Sequence, residues 1–124
     1  MRIFKTRHFS KWAKKEKLCD HILWQVADEI EKGLTGNKLG GNVYKKRISI
    51  HGRGKRGGVR TILAYQANQK LFFIYGYAKN EKENITEEEL KAAKMLAKEL
   101  LEYSDSQLIS LFIENVLIEV NYEK

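Results

Sequence analysis

From Val43 the chain alternates with a period of two. Tyr44, Lys46, Ile48 and Ile50 fall on one face of an extended segment, and Val43, Lys45 and Arg47 fall on the other. Val59–Tyr65 (VRTILAY) and Lys70–Tyr77 (KLFFIYGY) predict two further strands, joined by the turn QANQ. Their short connections predict an antiparallel meander, and the third strand is the most apolar and therefore central. On either side the period lengthens to that of a helix. After a first short strand at MRIF, Phe9, Trp12 and Ala13 form a brief stripe. Ile22, Leu23, Val26, Ala27 and Ile30 form a clearer one, with Asp20 as its N-cap and Gly33 as its left-handed stop. Residues 34–42, LTGNKLGGN, predict a loop. The run T-E-E-E from Thr86 to Glu89 is a capping box that opens a helix with Leu90, Ala93, Ala97, Leu100 and Leu101 on one side. Ser104 caps a shorter helix carrying Leu108, Leu111 and Phe112, and LIEVNY reads as a last short strand. The pattern predicts a small α+β domain in which helices precede and follow an antiparallel sheet around one core.

At 124 residues the chain accommodates one ordinary domain, and 43% hydrophobic with 31% charged residues is a globular balance. No apolar run approaches the roughly 20 residues of a membrane span. The basic N-terminus has no apolar segment behind it, so no secretory signal is expected. Cys19 is the sole cysteine, which precludes an internal disulfide and points to the cytoplasm. The net charge of +7 is unevenly spread: residues 1–31 carry +2, residues 32–80 carry +11 without a single acid, and residues 81–124 carry −6. All nine glycines fall in the cationic middle. A stretch of one sign attracts a polyanion, above all nucleic acid.

The centre of that stretch is HGRGKRGGVR, residues 51–60. It lacks the Ser or Thr and the spacing of a Walker A loop, and it joins two strands, so a nucleotide cofactor is not expected. Its glycines allow close backbone approach, and Arg53, Lys55, Arg56 and Arg60 offer donors to phosphate. His8, His21, His51 and Cys19 have no ligand spacing, and the middle holds no carboxylate, so no metal is expected. His51 reads as a polar strand-end residue. Tyr77 ends a strand just before Lys79 and Asn80, where it could stack on a base or donate a proton. One reaction needs only such parts. RNA supplies its own nucleophile, the 2′-OH, and cations stabilise the charge that develops on the phosphoryl oxygens as it attacks.

The run G-R-G-K-R-G-G-V-R-T-I, followed about twenty residues later by Y-A-K-N-E, resembles the RelE/ParE superfamily of type II toxins, and most closely its HigB-like RelE branch. The likeness covers residues 1–103 as a toxin domain, with 104–124 as a C-terminal extension on the same domain. It implies a ribosome-dependent mRNA endoribonuclease that acts in the A site and needs no cofactor. A cognate antitoxin, a helix-turn-helix protein, would neutralise it, and operator DNA would be met only through the antitoxin complex. Matched by motif, Lys55, Arg56, Arg60, Tyr77 and Lys79 would form the catalytic set, with Arg60 on the scissile phosphate. Lys45, Lys46, Arg47 and Arg53 would bind the RNA. A toxin of this fold without nuclease activity, or a nucleic-acid-binding module, remains the alternative.

Overall fold

The structure, a computed structural model, describes residues 1–49, 58–67 and 69–121. Its elements run β1 (Arg2–Thr6), α1 (Arg7–Lys15), α2 (Asp20–Glu31), β2 (Asn37–Gly40), β3 (Val43–Ile48), β4 (Val59–Gln66), β5 (Lys70–Ala78), α3 (Glu87–Glu102), α4 (Asp105–Ile113) and β6 (Leu117–Glu119). The six strands described form one sheet in the order β2-β3-β4-β5-β1-β6. All neighbours are antiparallel except β1 and β5, which run parallel. This is the expected α+β class, with the meander as β3-β4-β5. The most apolar strand, β5, lies between β4 and β1 and has helices over both faces.

The alternation along each strand builds two cores. Leu63, Leu71 and Phe73 meet Phe9 and Ala13 of α1 and Leu23, Val26, Ala27 and Ile30 of α2. Val43, Ile62, Ala64 and Phe72 meet Ala93, Ala97 and Leu100 of α3 and Leu108 of α4. The sheet is thus sandwiched between α1–α2 and α3–α4. Gly76 is required by this packing, because a Cβ there would run into the ring of Trp12. The capping boxes at Thr86/Glu89 and Ser104/Gln107 are both formed. Gly33 adopts φ +98°, the left-handed stop expected of it.

Two local expectations change. Asp20 is the first residue of α2 and not its cap; Cys19 precedes it and makes no side-chain cap. The Asp20 carboxylate instead accepts Lys5 Nζ at 2.7 Å and the Asn121 backbone N–H at 3.3 Å, so a tertiary ion pair claims it. Within the expected loop 34–42, Asn37–Gly40 form β2. β2 is mostly exposed and held through its backbone to β3, so its side chains carry no alternation to read. Gly36, at φ +77°, packs where a Cβ would strike the Lys45 carbonyl. β3 is described to Ile48, and Ile50 and His51 lie outside the described residues.

The pairing of β4 with β5 is not regular along its length. Ile62 pairs with Tyr75 but Leu63 pairs with Phe73, so Ile74 is an extra residue. This β-bulge puts both Ile74 and Tyr75 on the α3 face and shifts the phase of the strand beyond them.

Candidate RNA-cleaving site

The register of β3, β4 and β5 lays side chains across the sheet in rows. Arg47 stands opposite Arg60, and Arg60 opposite Tyr77. The next row on that face is Lys45, Ile62 and Tyr75. Directly opposed residues share a face, and this one lies under α3, since Ile62 and Tyr77 pack with Ala93 and Ala97. The bulge is what brings Tyr75 and Tyr77 here. Arg47 and Arg60 thus place two cations in neighbouring strand positions on this face.

Arg60 is the most informative member. Its side chain is half-buried, and its Nη1 is fully buried without a hydrogen-bond partner among the described residues. Buried donors are nearly always satisfied, and an orphan costs roughly 1–3 kcal/mol. A planar guanidinium donor in that condition suits a phosphate oxygen. Tyr77 is buried, and its hydroxyl donates to Asn84 Oδ1 at 3.4 Å. Burial pushes the phenol above its ordinary range against the opposing influence of Arg60, so it stays protonated at neutral pH and can donate. Asn84 Oδ1 also accepts Lys45 Nζ at 3.4 Å and the Ile85 backbone N–H at 2.9 Å, which ties the β5–α3 link over the row.

The structure divides the remaining sequence candidates. Lys46 faces the opposite side of the sheet and pairs with Glu29 of α2 at 3.5 Å, away from Lys45 and Arg47. Lys79 is exposed in the turn after β5, which closes through the N–H groups of Glu81 and Lys82 on the Ala78 carbonyl. Arg53, Lys55 and Arg56 lie outside the described residues. Gly58, the last glycine of the motif, is buried where β4 begins; a Cβ there would come to 2.9 Å from the Ile48 carbonyl, so glycine permits the close approach of β3 and β4.

Several neighbours escape a sequence reading. Lys82 donates to Glu89 Oε1 and, at 3.4 Å, to the Tyr75 hydroxyl, and it lies 5.5 Å from the centre of the Tyr75 ring. The bond from Lys82, helped by the Thr86 backbone N–H, holds the Glu89 carboxyl down at about 2, and the same pairing raises Lys82. Burial raises the Tyr75 phenol. The His8 ring stacks on Tyr75 with centroids 5.8 Å apart. Glu89 announces itself in the capping box, but Lys82, Asn84 and His8 carry no local signal of their part here. Among the described residues no three His, Cys, Asp or Glu side chains are placed to hold a metal ion, and no helix is long and apolar enough to cross a membrane.

A search of curated proteins finds no match to the chain. The family model described as the RelE toxin of the RelE/RelB toxin-antitoxin system matches residues 1–120, and thus takes in α4 and β6 as well as the motif strands. The chain belongs to the RelE toxin family.

Proposed function

We propose that this toxin is a ribosome-dependent mRNA endoribonuclease of the HigB-like branch, acting in the cytoplasm. The observation that carries the reading is the buried, unpartnered Nη1 of Arg60, in a row with Arg47 and the protonated Tyr77. The 2′-OH of the message attacks the adjacent phosphorus and expels the 5′ oxygen. The products are a 2′,3′-cyclic phosphate and a 5′-hydroxyl, and no water or metal enters the step. Arg60 stabilises the charge gathering on the phosphoryl oxygens. Tyr77 orients or protonates the leaving oxygen. Lys55 or Arg56 receives the proton of the 2′-OH or contacts the phosphate. Lys45, Arg47 and Arg53 hold the strand, with Lys46 and Lys79 adding to the cationic field around it. The ribosome presents the message in its A site, and a helix-turn-helix antitoxin neutralises the toxin and carries any contact with operator DNA. Residues 1–103 hold the site, and residues 104–124 extend the same domain.

Purified toxin added to ribosomes programmed with a defined message should cut within codons and leave 5′-hydroxyl ends. Arg60→Ala should lose roughly a hundredfold or more of that cleavage while remaining folded. Ribosome binding with intact message would make the protein a binding module. Continued translation with altered DNA supercoiling would mark a toxin of this fold without nuclease activity.

A further inference from the structure

Beside the Arg47–Arg60–Tyr77 row, a pocket of about 280 Å³ opens between the bulge of β5, the start of α1 and the first turns of α3. Its floor is Ile74, Ala93 and Leu96, and its rim carries Tyr75, His8 and Glu89. We propose that it is a nucleobase subsite, taking the base adjacent to the phosphate that the row holds. The proposal rests on the nuclease reading and names what that site grips besides phosphate.

Four observations point to a base. The size lies just below the ~300 Å³ at which pockets for small organic ligands begin, enough for one ring system and little more. The floor is apolar, while the His8 and Tyr75 rings lie within 3° of parallel and offer a stacking wall. Aromatic stacking is the usual way a protein holds an unpaired RNA base. Glu89 supplies a single acceptor-only group, since its carboxyl is ionised at neutral pH. Such a group accepts from the amino group of adenine, cytosine or guanine, whereas uracil offers only an N3–H flanked by two carbonyl oxygens, so uracil should fit least well. The pocket also lies next to the row, because the ring of Tyr75, which lines it, is 6.1 Å from the Tyr77 ring. An apolar side chain of a protein partner would suit the floor, but it would leave the Glu89 carboxylate and the ring stack unused.

Ala92 is exposed on α3 and lines the pocket. Ala92→Leu fills the cavity without touching the phosphate row, and both residues favour a helix. In the programmed-ribosome assay kcat/KM should fall about tenfold, the order expected for losing one stacked base. Glu89→Gln should flatten the discrimination against uracil. Wild-type rates and preferences in both variants would overturn the subsite while leaving the nuclease reading standing. The same holds if cleavage is unchanged and Ala92→Leu instead escapes the antitoxin, since the pocket would then take a protein side chain. If the wild-type protein cuts no message, the nuclease reading fails, and the pocket is judged by methyl NMR with the four nucleoside 3′-monophosphates. Shifts at Ala93 and Leu96 with the amino-bearing bases, absent with uridine monophosphate and inorganic phosphate, support it. No shifts with any nucleotide overturn it.

Discussion

Replacing Arg60 with Met should make the protein more stable and less active at once. Nη1 is buried without a partner among the described residues, and such a donor costs the folded state roughly 1–3 kcal/mol. Methionine keeps most of the aliphatic stem and removes the orphan. Some stem contact is lost, so a net gain of about 1 kcal/mol is expected. With a urea dependence of about 1–3 kcal/mol per molar, the midpoint should rise by about 0.5 M. Cleavage should fall by about a hundredfold to a thousandfold, the loss that accompanies removal of one donor to a developing oxyanion. Equilibrium unfolding by circular dichroism reads the first quantity and the programmed-ribosome assay reads the second. Opposite signs are the mark of a functional orphan, held at a cost in stability. If Arg60→Met is destabilised by more than about 1 kcal/mol and still cleaves normally, the guanidinium is structural and the reading of its buried nitrogen is wrong.

Two further outcomes test the scaffold and the link over the site. Gly76→Ala drives a Cβ into the Trp12 ring, and overpacking should cost about 1–3 kcal/mol in urea unfolding, with Trp12→Leu in the same chain recovering part of it. Glu89 titrates at about 2 when folded, because Lys82 and the Thr86 N–H hold its charged form. The depressed value means that its contribution is fully present above the ordinary carboxylate range and is lost as pH falls from there through about 2. The urea midpoints of wild type and Glu89→Gln should therefore differ at pH 6 and converge by pH 2. Salt should shrink the difference, since the pair is partly exposed. An equal gap at both pH values would remove Glu89 as its source.

How much of the fold is legible in the sequence depends on which interactions are local. The capping boxes at Thr86 and Ser104 are contained in four residues each, and both form. The alternation in β3 separates Lys46 from Lys45 and Arg47 before any contact is known, and the sheet keeps them apart. Asp20 shows the limit of local reading, since a lysine 15 residues upstream takes its carboxylate from the cap. β2 is invisible because an edge strand bound by backbone alone leaves no mark on its side chains. The bulge at Ile74 is harder still: it exists only in the register between two strands, and a strict period of two carried through KLFFIYGY would place Tyr77 on the wrong side. The candidate site inherits these differences. Arg60 and Tyr77 stand out by motif, whereas Asn84, Lys82 and His8 are joined to them only by folding.

The extra residue in β5 divides that strand into two independent halves. Leu71, Phe72 and Phe73 are committed to both cores, while everything beyond Ile74 takes its orientation from a single inserted position. Straightening the bulge with its residue retained would turn Tyr77 toward α1 and Gly76 toward α3, whereas loss of that one codon would restore a plain alternation and leave both where they are. The length of β5 is therefore free to vary at that one position without disturbing the pairing of Arg60 with Tyr77.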